Sequence, residues 1–260
     1  FIENGYVVAR QAFPRAIATD ICERTWQWFK QEYDIARDDP STWNKRFPGK
    51  RIDAYLTYSG GGQVYRLQTD APRAFQAQVD AVGGVERFLE GNDLAWNDAS
   101  IANLGVKDDP DWEPAGIQRT GWHKDGWHFR HFLDSPEQGL LTVPIYSDIV
   151  PRAGGMHVAA DSVAPVARLL ADHPEGLHPD SVQGSGYLVP GLLEQCHVFE
   201  ELVGEAGDMV IVHPYLLHRA CPNPAAIPRF ISNKSPILSE PLCFNRSSDH
   251  YSLVELAVLK

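Results

Sequence analysis

The sequence predicts a mainly β fold of the sandwich or jelly-roll type with flanking helices, and three observations carry that prediction. Beyond Trp96, short β-type runs recur at regular spacing between turn residues. Before Trp96 the apolar residues recur at helical spacing instead. The 260-residue chain is long enough to bury a large core and shows no linker-like tract. A single domain over 1–260 is therefore expected, with a helical part at about 1–95 packed on a β core at about 96–240.

The elements follow in order. Phe1 to Arg10 reads as a short extended segment broken by the turn pair Asn4-Gly5. Ile21, Thr25, Trp28 and Phe29 share a helical face, which sets a helix from about Ala16 to Tyr33. Ala36 to Gly62 is rich in Pro, Gly, Asp and Lys without periodicity and reads as a long ordered loop, a candidate lid. Asp70 and Pro72 open a second helix with Phe75, Val79 and Val82 on one face, interrupted at Gly83-Gly84 before Val85 to Leu89. Strands are expected at Ala99 to Leu104, Gly121 to Phe132, Leu140 to Tyr146, Met156 to Ala159, Val198 to Leu202, Met209 to His213 and Phe230 to Leu238. One helix interrupts them, Ser162 to Ala171, with Asp161 as its candidate cap and Val163, Val166, Leu169 and Leu170 as its apolar stripe.

Composition excludes several functions. A formal net charge of −11 without any long Lys/Arg run argues against nucleic acid, because phosphate binding needs a positive footprint. A small molecule is the expected partner. No apolar run approaches the roughly 20 residues that span a bilayer. Cys22, Cys196, Cys221 and Cys243 are scattered without the close spacings of zinc or redox pairs, which suits a reducing, cytoplasmic setting. Because the chain opens at Phe1 rather than Met, a removed targeting segment upstream stays open.

The chemistry is carried by His123-Lys124-Asp125, a later His, and Arg229. Two imidazoles and one carboxylate on a rigid scaffold form one face of an octahedral Fe(II) site and leave three adjacent positions open. A His-x-Asp tripeptide alone is weak evidence, and His178-Pro179-Asp180 is a second copy. The second follows a loop-like stretch and its Pro cannot sit in a central strand, whereas the first lies in an aromatic-rich extended run. Strand alternation would put His123 and Asp125 on one face. For the third ligand the choice lies between His213, which ends an apolar strand before a Pro, and His218, eleven residues before Arg229.

These residues resemble a known family. The Gly207-Asp208-x-Val210-x-x-His213-Pro214-x-x-x-His218 stretch, the following Asn223 and the Pro228-Arg229 pair look like the phytanoyl-CoA dioxygenase-like branch of the Fe(II)/2-oxoglutarate oxygenases. The opening Phe1-Ile2-Glu3-Asn4-Gly5-Tyr6-Val7-Val8 before a helix is similar to the family's start. The resemblance implies a cupin-like double-stranded β-helix with His123, Asp125 and His218 as ligands to Fe(II), and with 2-oxoglutarate and O2 on its open positions. It implies that Arg229 anchors the far carboxylate, for which a planar guanidinium is suited as Lys is not. Ser232 is a candidate for an added hydroxyl contact, with a structural serine as the alternative. The implied reaction couples oxidative decarboxylation of 2-oxoglutarate to hydroxylation of a substrate C–H bond. Related halogenases have a small residue at the carboxylate position, so Asp125 argues against halogenation.

Family members often carry Pro-Gly-Ser-His after a Gly-Gly pair, and Gly154-Gly155-Met156-His157-Val158-Ala159-Ala160-Asp161-Ser162 lacks that ending. With the 36–62 loop and the long connection from His173 to Gln195, this favours a specialised metabolite over an acyl thioester as substrate. A cupin-like metal enzyme without oxygenase activity and a non-catalytic binding protein remain as alternatives. Trp122, Trp127, Phe129 and Phe132 read either as core or as an apolar substrate pocket. Lys45, Arg46, Lys50 and Arg51 read as solvated surface, with contact to an anionic substrate from the candidate lid as the alternative, and His128, His131, His157 and His197 as structural or surface residues.

Overall fold

Helix α1 (Arg15–Tyr33) turns Ala18, Ile21, Thr25, Trp26 and Phe29 inward and ends where Asp34 adopts a left-handed conformation, its N–H returning to Phe29 O. Trp26 replaces the expected Trp28 on the buried face. The structure, a computed structural model, describes residues 1–43, 54–178, 191–248 and 250–260. Residues 44–53 of the expected loop, with its basic cluster Lys45, Arg46, Lys50 and Arg51, lie outside the described residues, as does most of the His178-Pro179-Asp180 copy. The chain is sheet-rich with few helices, and none of its described helices is long and apolar enough to cross a membrane.

The larger sheet begins with the order β1 (Tyr6–Ala9), β9 (Met209–Val212), β6 (Leu141–Pro144). A second run, β11 (Arg229–Ile231), β5 (Ser100–Asn103), β2 (Tyr55–Tyr58), is stitched to β6 by antiparallel bridges Thr142 to Lys234 and Ile145 to Ile231. The smaller sheet runs β10 (His218–Arg219), β7 (His157–Ala159), β8 (Phe199–Glu201), with His123 bridged to His218 at its edge. A hairpin of β3 (Val64–Arg66) and β4 (Ala95–Asn97) stands apart.

Alternation decides which face of the larger sheet meets which layer. Met209, Ile211, Ala102 and Phe230 join a cluster with Ile21, Trp26 and Phe29 of α1 and Ala74, Ala81 and Val82 of α3 (Pro72–Val82). Their neighbours Val210, Val212, Leu141, Val143 and Ile231 join Val158, Ala159 and Leu202 of the smaller sheet. The helical part and the strands therefore share one core, and a second core fills the space between the sheets.

Helix α3 is preceded by the single turn α2 (Leu67–Asp70) and starts on Pro72, whose missing N–H is no loss at a helix N-terminus. Its fully buried side chains are Ala74, Gln78, Ala81 and Val82, while Phe75 and Val79 are half-buried. Helix α4 (Val163–Ala171) takes Ser162, not Asp161, at its N-cap position. Asp161 instead accepts N–H bonds from His197 and Val198, pinning the approach to β8. A fifth helix, α5 (Leu253–Leu259), closes the chain with a capping box between Ser252 and Glu255.

Two expected strands are corrected. Gly121 to Phe132 is not a continuous strand: His123 and His131 form isolated bridges, and turns fill the interval, with Gly126 at φ 116°. A side chain at Gly126 would meet the His131 ring at 2.4 Å, so the close turn requires glycine. Phe230 to Leu238 is shortened to β11, although Lys234 continues the ladder to Thr142 in both directions at 2.8 and 2.9 Å.

Candidate metal centre

His123 and His218 are joined through their main chains: His123 N–H donates to His218 O at 3.0 Å and His218 N–H to His123 O at 2.9 Å. The pairing brings the two imidazole centroids to 4.5 Å. Each ring is oriented by its own segment. His123 Nδ1 donates to Gly121 O at 2.8 Å, and His218 Nδ1 donates to Leu216 O at 3.1 Å. A neutral imidazole that donates through Nδ1 carries its lone pair on Nε2. Both Nε2 atoms stand 3.6 Å from one oxygen, Oδ1 of Asp125.

The three side chains thus offer two nitrogens and one oxygen to a common point, and they are a group that could hold a metal ion. The donor set fits a first-row divalent ion that keeps open positions, since three ligands on one side leave the rest to other molecules. His218 is buried at 6 % exposure, while His123 and Asp125 are half-buried, so the centre opens on one side. Burial alone would raise the Asp125 carboxyl, but the imidazoles of His218 and His123, when protonated and free of metal, outweigh it and hold the group well below its ordinary range. Asp125 is therefore an ionised carboxylate.

Asp125 reaches its place by a turn rather than by strand alternation, and Lys124 holds that turn. Its side chain is buried, donates to Asp125 O at 3.1 Å and to His131 Nδ1, and lies 5.8 Å from the Tyr215 ring centroid. His131 Nε2 donates to Gly126 O at 2.7 Å, and Phe129 stacks on the His131 ring at 4.1 Å. Burial pushes Lys124 down to about 7. Neither residue stands out in the sequence: Lys124 is the unspecified middle of the tripeptide, and its burial follows from a turn that alternation does not foresee.

His213 is committed elsewhere. Its Nδ1 accepts Tyr215 N–H at 3.0 Å and its Nε2 donates to Val254 O at 3.1 Å. Burial holds it down to about 3, so it is a neutral structural residue that ties β9 to α5.

Arg229 faces the space between the sheets, two residues before Ile231 on the same side of β11. At 2 % exposure, its Nε donates to Gly154 O and its Nη1 to Ile101 O, both at 3.0 Å, and its guanidinium lies 5.6 Å from the Tyr55 ring centroid. Among the described residues no carboxylate pairs with it. Ser232 is not brought to this group. It lies on the opposite face of the sheet, lining a cavity of about 290 Å³ with Leu67, Gln78, Trp96 and Met209. Of the aromatic residues near the ligands, Trp122 is core, packed edge-on against Phe199, whereas Trp127 is 69 % exposed.

No protein-family model and no curated protein matches the sequence. Solved structures of similar shape exist. AviO1 from Streptomyces viridochromogenes Tue57 is 16% identical, with 93% of each chain covered and a TM-score of 0.49. The epimerase SnoN, in complex with Fe3+, alpha ketoglutarate and nogalamycin RO, is 14% identical over 90% of this chain and 79% of its own, with a TM-score of 0.47. EctD from S. alaskensis, with 2-oxoglutarate and 5-hydroxyectoine, is 16% identical over 90% and 73%, with a TM-score of 0.42. At this distance the likenesses assign nothing to the centre, and its reading rests on the side chains of this chain.

Proposed function

We propose that the chain is a non-haem Fe(II)/2-oxoglutarate-dependent dioxygenase of the phytanoyl-CoA dioxygenase-like branch, built on a double-stranded β-helix, that hydroxylates a C–H bond of a small organic molecule. The observation that carries this reading is the convergence of His123 Nε2, His218 Nε2 and Asp125 Oδ1 at 3.6 Å, with both Nδ1 atoms donating to backbone carbonyls. The strand order supports the fold: both runs of the larger sheet, β1-β9-β6 and β11-β5-β2, interleave early and late strands, as two interlocked hairpin series would.

His123, Asp125 and His218 would hold the iron. Arg229 would hold the far carboxylate of 2-oxoglutarate, because a buried guanidinium without a carboxylate partner among the described residues is a strong site for one. Its bonds to Gly154 O and Ile101 O keep the fork from rotating. Iron, 2-oxoglutarate and O2 together supply the oxidant, with succinate and CO2 as coproducts. Two neutral imidazoles and one carboxylate leave a bound divalent ion net positive, which favours an anionic keto acid. The buried carbonyl bonds orient both rings before any ligand arrives, so little reorganisation is needed. The incomplete family element after Gly154-Gly155 favours a specialised metabolite as substrate.

The test is anaerobic titration of Fe(II) with 2-oxoglutarate, following the visible metal-to-ligand charge-transfer band of a chelated keto acid. A band weakened in both His218→Ala and Arg229→Ala is the expected result. Iron binding without a band would favour a cupin-like metal enzyme or a binding protein. Succinate release on screening specialised metabolites then identifies the substrate.

A further inference from the structure

The outer face of the smaller sheet carries a second polar group. Arg219 pairs across the strands with His157, and His157 with Glu201, on the side opposite His218 and Val158. His157, Glu201 and Cys221 lie close enough to suggest a metal ion. The hydrogen bonding argues otherwise. Arg219 Nη1 approaches His157 Nδ1 at 3.3 Å, and a guanidinium only donates, so Nδ1 is the acceptor and Nε2 carries the proton. Glu201 spends its oxygens on Arg152 N–H at 2.9 and 3.1 Å, and the Cys221 thiol donates to Gly155 O at 2.9 Å. No lone pair of His157 is left for a metal.

What remains is a set of donors without acceptors. His157 Nε2, Arg219 Nε and Arg119 Nε are all buried and have no hydrogen-bond partner. Arg219 is 8 % exposed and His157 0 %. The two arginines and the histidine are neighbours: after burial itself, the charges of Arg219 and then Arg119 are what hold His157 down to about 4, and Arg119 also acts on Arg219. Three buried N–H groups, two of them on cations, form a costly arrangement unless an acceptor meets them. Nearby charges indicate its size. Glu113 pairs with Arg119, and among the described residues no carboxylate pairs with Arg219, which leaves one guanidinium charge for a monoanion to meet.

We propose that Arg219, Arg119 and His157 form a binding site for a small carboxylate or bicarbonate monoanion on the outer face of the smaller sheet. The site is distinct from Arg229, which faces the space between the sheets. Its position gives it a purpose: Arg119 lies four residues before His123, and Arg219 follows His218 directly. An anion between them clips together, from behind, the two segments that carry the imidazoles.

The experiment is calorimetric and thermal titration of the purified chain with sodium formate, sodium bicarbonate and sodium chloride, at ionic strength held constant with a bulky anion. Saturable binding of formate and bicarbonate is expected in the wild type and in Arg229→Gln. Binding should weaken by at least about tenfold in Arg219→Gln, as the loss of a hydrogen bond to a charged group implies. His157→Phe and Arg119→Gln should weaken it as well, and they decide the matter if Arg219→Gln does not fold. Absence of saturable binding, binding indifferent to all three changes, binding lost in Arg229→Gln, or preference for chloride would each overturn the proposal. None of these outcomes bears on the charge-transfer test of the iron centre.

Discussion

His123 and His218 exchange both of their main-chain hydrogen bonds, at 3.0 and 2.9 Å, although 95 residues separate them. The ladder, rather than a flexible side chain, sets the distance between the two imidazoles. The two rings are preorganised by the same bonds that hold the sheet edge.

His218→Ala should therefore lower Fe(II) affinity by more than about a hundredfold, beyond the range seen when only an outer partner of a ligand is lost. His213→Gln should leave iron binding intact and instead destabilise the fold by about 1–3 kcal/mol, because Val254 O and Tyr215 N–H lose a buried partner. Equilibrium metal binding and urea melts on both variants separate the two roles, and reversed outcomes would move the third ligand to His213.

Arg229→Gln should raise the 2-oxoglutarate KM by roughly 10–100-fold with a smaller effect on Fe(II) affinity, as expected for one charged hydrogen-bonding group removed from a buried position. Arg229→Lys should recover little, since an ammonium cannot both reach a carboxylate and keep the bonds to Gly154 O and Ile101 O. Succinate formation against 2-oxoglutarate concentration is the readout. Recovery in the Lys variant would show that charge alone suffices.

Glu255 gives the protein an acid-sensitive anchor. Burial would raise its carboxyl, but bonds from Arg246, the Ser252 and Cys243 N–H groups and the Ser252 hydroxyl outweigh it and hold the group down to about 2. Because the folded value lies below the unfolded one, the stabilisation is complete above the ordinary carboxylate range and fades as pH falls from about 4.5 toward 2. Glu255→Gln should cost about 2–3 kcal/mol at pH 7 and flatten the stability curve in that window. Urea midpoints between pH 2 and 7 measure it, and a parallel displacement of the two curves would refute the assignment.

Lys124 predicts a slope of the same sign in an alkaline window. Burial depresses its ammonium to about 7, so the metal-free fold binds fewer protons than the unfolded chain between there and about 10.5. Stability should rise with pH across that window. Lys124→Met, similar in length and uncharged, should remove the rise and loosen the 124–131 turn that places Asp125. Alkaline melts, with Fe(II) affinity measured alongside, test both effects.

Residues whose partners lie nearby or whose spacing is chemical were legible in the sequence. Helix α1 shows in Ile21, Thr25 and Phe29, and the grouping of His123, Asp125 and His218 in a tripeptide, a spacing and a family resemblance. Features that depend on distant partners were not. Asp161 looks like a helix cap until the N–H groups of His197 and Val198 compete for it. Ser232 looks like a neighbour of Arg229 until strand alternation turns it to the other face. The short hairpin of β3 and β4 has too few residues to show a period. Helix α5 did have a readable signal, Ser252 followed three residues later by Glu255 ahead of an apolar run.

Arg229 and Phe230 are consecutive, and the strand sends them in opposite directions. Phe230 lodges against Trp26 at 5.4 Å and Phe29 at 6.4 Å between centroids, while Arg229 enters the space between the sheets. A slip of one residue would drive a cation into an aromatic nest and leave a phenyl ring beside Gly154 O and Ile101 O in place of the guanidinium. The aromatic contacts of α1 thus act as a registration pin for a guanidinium on the far side of the sheet. The packing of a helix and the placement of a buried cation are thereby tied to the same peptide bond.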